Sequence, residues 1–174
     1  PDPERLPSVR LAAVAEAELR WPLLWIAGGA DESAAEEAAR KLRISRARGE
    51  RWKGAVGVHR RLAPFFGIPD RVETREAWID AVLEWGRPAA EDWLALSAGL
   101  LAVPREVPER ASRWLREMPV CSIGELAVRG GDLARHLQRP RGPWVGRTLR
   151  RLLKETASGR VANDRAPLLE LARR

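Results

Sequence analysis

Apolar positions recur at helical spacing along most of the chain. Trp78, Ala81, Val82 and Trp85 fall at i, i+3, i+4 and i+7 behind a candidate cap at Thr74. Trp93, Leu96, Leu100 and Leu101 repeat the pattern after Pro88, a residue suited to a first helical turn. Val107, Ala111, Trp114 and Leu115 do so again, and Ser33 with Glu36 reads as a capping box. No segment alternates as a strand does, and no Asn-Gly type of hairpin turn occurs. The pattern predicts an all-α fold without a sheet, with short Pro/Gly connections at 67–70, 86–88 and 103–108. The last of these is the expected boundary between two small helical subdomains, residues 1–103 and 104–174.

One expected helix separates basic from apolar residues cleanly, and a second does so less cleanly. In the helix opening near Pro143, Val145, Leu149, Leu152 and Leu153 centre on one side, and Arg147, Arg150, Arg151 and Lys154 on the other. Over residues 46–63, Trp52, Ala55, Val56, His59, Leu62 and Ala63 share a face. Arg46, Lys53 and Arg60 line its flank, with Glu50 nearby.

Charge counts sharpen this picture. The chain of 174 residues has a formal net charge of +7. Residues 129–174 hold twelve basic and four acidic side chains, and residues 40–61 hold nine and one. Everything outside these two segments is acidic overall. Two basic surfaces on an acidic scaffold point to a polyanionic partner, with a merely solvated face as the bland alternative. Only Lys41, Lys53 and Lys154 among the 31 basic residues are lysines. Arginine suits phosphate because its planar fork donates two parallel hydrogen bonds. A GC-rich genome would give the same bias, so the arrangement of the arginines carries the argument.

The junction from Arg139 to Gly146 adds a second device. Gly142 permits a tight approach, Pro143 opens the helix, and first-turn amides lack intrahelical acceptors. Such an end attracts anions, and Arg139 and Arg141 flank it. Gly146 removes a side chain where another backbone could come close. Trp144 could stack on a ribose or base, or cap the end of the core. A sharp helix–helix turn would need the same Gly and Pro residues.

Other classes of function find little support. No run of about 18 apolar residues exists to span a membrane, and the N-terminus has no signal-peptide pattern. The single cysteine, Cys121, cannot form an internal disulfide, which suggests a reducing, cytoplasmic setting. His59 lies on an apolar stripe, and His136 follows Asp132 by four residues as a plausible local pair. Neither histidine joins a metal-ligand pattern. Gly28-Gly29-Ala30-Asp31 lacks the lysine of a phosphate loop and reads as a helix-ending turn. The eight tryptophans mostly occupy apolar stripes and read as core. The chain starts at Pro1 and has Met118 as its only methionine, so it is expected to be a piece of a longer protein.

At its C-terminal end the chain resembles a known family. Ile123, Leu126, Gly131-Asp132-Leu133, Pro140-x-Gly142-Pro143-Trp144-Val145-Gly146, Leu149, Leu152, Gly159, Asn163 and Leu168 are similar to the end of bacterial class II CCA-adding enzymes. These are tRNA nucleotidyltransferases related to poly(A) polymerases. The resemblance covers residues 119–172 well and residues 40–61 more loosely. It implies an elongated helical array of body (1–103, with room for the end of the neck) and tail (104–174). It also implies a separate catalytic head and neck that use Mg and CTP or ATP, whose motifs do not occur here. The expected partners are tRNA, at its acceptor/TΨC elbow, and the protein's own head and neck. No catalytic or metal-binding residue, and no cofactor, is assigned to this chain. Its RNA-binding candidates are Arg139, Arg141, Gly142, Trp144, Gly146, Arg147, Arg150, Arg151, Lys154, Arg46, Lys53 and Arg60. Rival readings are a helical protein-interaction module with solvated basic faces and, with less support, a helical DNA-binding domain.

Overall fold

The computed structural model describes residues 9–173. Among them are the helices α1 (Arg20–Ala27), α2 (Glu32–Lys41), α3 (Arg46–Leu62), α4 (Val72–Trp85), α5 (Arg87–Ser97), α6 (Glu106–Glu117), α7 (Gly130–His136), α8 (Pro143–Ala157) and α9 (Arg165–Ala172). No strand occurs among the described residues; a lone bridge joins Val9 to Leu100. The fold is all-α, as the periodicity predicts.

The chain forms two compact units that divide after Arg116. In the first, α3 is the central helix and packs against α1, α2, α4 and α5. Its sequence stripe understates its burial, because Gly54, Gly57 and Val58 are buried along with Trp52, Ala55, Val56 and Leu62. Two glycines let its neighbours come close. A Cβ on Gly57 would sit 2.4 Å from Trp85 Cε2, and one on Gly54 would sit 2.7 Å from Ala89 Cβ. Trp78 and Trp93, fully buried, meet at 5.8 Å between ring centroids. Ala63, expected on the buried stripe, is exposed beyond the helix end.

Two of the expected caps shift. Asp31, not Ser33, is the N-cap of α2, and its side chain accepts from the Ala34 N–H at 2.8 Å. Thr74 lies inside the first turn of α4, where its hydroxyl donates to the Ile68 carbonyl at 2.7 Å. Gly28 and Gly29 end α1 as expected, with Gly29 left-handed at φ 74°.

Helix α6 belongs to the first unit up to Arg116, although the sequence assigns it to the C-terminal segment. Its apolar face of Val107, Ala111 and Leu115 is buried. Arg87 Nη2 donates to the Leu115 carbonyl at 3.2 Å, and Arg110 pairs with Asp70, so polar contacts also tie it to α5 and the turn before α4. The second unit packs α7, α8 and α9 together over Leu133, Leu152, Leu153 and Leu168.

Candidate nucleic-acid interface

Helix α8 realises the two-faced pattern. Leu152 and Leu153 are buried and Val145 and Leu149 half-buried, while Arg147, Arg150 and Arg151 are exposed. Lys154 is half-buried near the last turn. Arg151 Nη2 donates to the Leu171 carbonyl at 3.0 Å, which ties it to α9. Among the described residues, no carboxylate pairs with Arg139, Arg141, Arg147 or Arg150. A Cβ on Gly146 would meet nothing within 4 Å, so the fold itself gives no steric reason for glycine there.

The helix start is a thinner anion seat than the sequence suggests. Gly142 is its extended N-cap and no side chain caps it. Pro143 has no N–H, and the Val145 N–H already donates to the Gly142 carbonyl at 3.0 Å. Positive charge here rests on guanidinium groups more than on free amides. Gly142 has an ordinary extended backbone, and a Cβ there would meet Trp144 at an unstrained 3.5 Å.

Trp144 does not offer a free face. It is 8% exposed, and its Nε1 donates to the Pro140 carbonyl at 2.8 Å. Its ring instead lies under Arg139, whose Cζ is 5.2 Å from the ring centroid. Of the two roles open in the sequence, core capping is the one its burial fits, because a buried ring cannot stack on a base.

The connection from α7 to α8 is built to project these arginines. Gln138 takes the left-handed conformation at φ 50°, and the Arg139 N–H closes back on the Ala134 carbonyl at 3.1 Å. The chain therefore reverses and delivers Arg139 and Arg141 beside the start of α8. Arg141 lies against α7, where a Cβ on Gly131 would sit 2.6 Å from its Nη2. Asp132 anchors the other end of α7. It accepts from the Arg129 N–H at 2.8 Å and from Arg135 and Arg165 at 2.9 Å each. The Arg129 amide, with both guanidinium groups, holds its carboxyl below the usual carboxylate range. These partners replace the His136 pair expected from spacing; His136 Nε2 is buried without a hydrogen bond.

The flank of α3 is different. Lys53 Nζ lies 2.7 Å from Glu36 and 3.7 Å from Glu50, and Arg60 pairs with Glu32. Arg51 pairs with buried Asp92, Arg61 with Glu84, and Arg48 with Glu18 at 3.2 Å. Arg46 and Lys53 both line a cleft of about 370 Å³, but Glu36 and Glu50 line it too. Carboxylates from neighbouring helices thus neutralise much of this basic segment. Among the described residues, no group of three or more His, Cys, Asp or Glu could hold a metal ion, and no helix is long and apolar enough to cross a membrane.

The family model for tRNA nucleotidyltransferase domain 2 matches residues 13–172. The chain belongs to this tRNA nucleotidyltransferase family. Among curated proteins it is similar to a CCA-adding enzyme of Limosilactobacillus fermentum, at 27% identity over 70% of this chain and 30% of the relative. It is also similar to a CCA-adding enzyme of Geobacillus kaustophilus, at 34% identity over 55% of this chain and 24% of the relative. The chain therefore spans less than a third of either relative. In fold it is similar to the crystal structure of the Bacillus stearothermophilus CCA-adding enzyme in complex with CTP. That likeness has a TM-score of 0.69 at 23% identity, and it covers 95% of this chain and 40% of the other.

Several residues that carry the tRNA nucleotidyltransferase resemblance have architectural work. Asn163 Oδ1 accepts from the Ala127 N–H and its Nδ2 donates to the Glu125 carbonyl, both at 2.9 Å. One side chain thus pins the turn around Leu126. Gly159 supplies the left-handed residue after α8, at φ 73°. Sequence reasoning assigned Asn163 no role, since its two partners lie 36 and 38 residues away. It missed Gln138 as well, because no glycine marks that reversal.

Proposed function

We propose that this chain is the tRNA-binding, non-catalytic portion of a CCA-adding tRNA nucleotidyltransferase. In this reading the first unit is the body and the second the tail. Arg139, Arg141, Arg147 and Arg150 hold the acceptor/TΨC elbow, with Arg151 and Lys154 extending the face. A head and neck outside this chain would bind CTP or ATP with Mg, and no catalytic step is assigned here. The observation that carries the proposal is the carboxylate-free arginine face around Gly146, in a chain of this family. An A-form stem hides its base edges in a deep groove, so a protein that serves every tRNA reads phosphates and ribose hydroxyls. Guanidinium groups on a helix suit that task. A fixed grip on the elbow would position the 3′ end from outside the active site.

The test is binding of tRNA or an acceptor–TΨC minihelix to the chain across a salt series. Affinity should fall by about 0.7 to 0.9 log units per log unit of salt for each phosphate neutralised. Replacing Arg147, Arg150, Arg151 and Lys154 together by glutamine should flatten that slope with helical content unchanged. An unaltered slope and affinity would remove this face from the interface. Absence of RNA binding at low salt would favour a protein-interaction module, and equal affinity for duplex DNA a DNA-binding domain.

A further inference from the structure

Trp144 has three simultaneous roles in the geometry, and only one of them concerns the core. Its indole is buried, its Nε1 holds the Pro140 carbonyl at 2.8 Å, and its ring underlies the Arg139 guanidinium at 5.2 Å. Arg139 is itself exposed. A guanidinium centred over an aromatic face is held by the ring quadrupole and has five N–H donors, so donors not aimed at the ring remain open to a phosphate. The indole hydrogen bond fixes the neighbouring peptide, and Pro140 and Pro143 restrict the backbone on both sides of the turn. An arginine on an exposed reversal would ordinarily sample many rotamers.

From these contacts we infer that Trp144 is a positioning residue for RNA binding: it pre-orders Arg139 for a backbone phosphate and touches no RNA itself. This inference rests on the tRNA-binding reading of the α8 face. Ordering one long side chain on binding costs the equivalent of roughly two- to tenfold in affinity, and pre-ordering recovers that factor. The effect of Trp144 should therefore pass entirely through Arg139.

A double-mutant cycle on the full chain tests it, with an acceptor–TΨC minihelix as the RNA probe and thermal melting as a control for folding. Trp144→Leu should weaken binding roughly two- to tenfold. In an Arg139→Ala background the same change should have no further effect. Trp144→Phe keeps a ring beneath the guanidinium but loses the N–H, so it should retain most of the affinity while melting lower. An equal loss from Trp144→Leu with and without Arg139 would overturn the inference and leave Trp144 a core residue only. Should Trp144→Leu not fold, the native chain still decides. Its Arg139 side-chain protons should show ring-current shifts by NMR, and random-coil shifts there would overturn the proposal. Failure of the underlying reading looks different: neither Arg139→Ala nor the α8 arginine variant would then change minihelix binding.

Discussion

At the scale of single residues, His59 gives the sharpest expectation. Its Nδ1 accepts a hydrogen bond from Trp93 Nε1 at 3.3 Å, which only the neutral ring can do, and its ring meets Phe66 at 5.3 Å. Burial pushes its pKa down from 6.5 to about 4. Between those values the unfolded chain binds the extra proton and the folded chain does not. The stability held by the neutral ring is therefore full above pH 6.5 and is lost as pH falls towards 4, by roughly 2 kcal/mol at pH 5. Urea midpoints at pH 7.5 and 5 should show this loss in the native chain and a smaller one in His59→Phe. Two helical glycines give a second expectation, in opposite directions. Gly57→Ala forces a methyl into Trp85 and should destabilise by about 1–3 kcal/mol. Gly146→Ala enters open space and should stabilise α8 by about 0.5–1 kcal/mol, while the added methyl on the proposed RNA face should weaken minihelix binding. Melting and minihelix titration of both variants check this. The sequence writes both residues as glycine in a helix; only the distance to a neighbour separates them.

Whole helices were legible where their information is local. The two faces of α8 follow from residues within four positions of each other, and the structure keeps that split. The flank of α3 was not legible in the same way. Its basic residues look free because their partners come from other helices: Glu32 and Glu36 from α2, Glu84 from α4, and Asp92 from α5. Caps failed for a similar reason, since Asp31 and Ser33 are both good candidates and only backbone geometry chooses. The pairing of α3 has a measurable consequence. Lys53 and Glu36 stabilise each other's charged forms, with the lysine raised and the carboxylate lowered. Arg60→Gln should cost about 0.2–1 kcal/mol of stability, the usual range for an exposed pair, read as a lower melting temperature. Its affinity for the minihelix should match that of the native chain.

Across the whole molecule, these pairs redistribute the charge. Of the formal +7, the residues up to Arg116 hold nineteen basic and eighteen acidic side chains, and those from Glu117 hold twelve and six. Nearly all the excess thus lies in the second unit, and much of the basic segment at 40–61 is neutralised inside the first. Two basic surfaces read from composition become one strong surface and one mixed one. A polyanion senses unpaired guanidinium groups, not the count of basic residues, because each neutralised phosphate releases its own counterions. Two charge-matched sets of substitutions in the full chain separate these views. Replacing Arg139, Arg141, Arg147 and Arg150 by glutamine should lower the salt slope of tRNA binding by up to about 3 to 4 log units per log unit of salt. Replacing Lys41, Arg48, Lys53 and Arg60, each of which has a carboxylate partner, removes the same formal charge. That set should leave the slope nearly unchanged and lower the melting temperature instead. Equal slopes for the two sets would mean that net charge alone draws the RNA, and the arginine face around Gly146 would lose its special status.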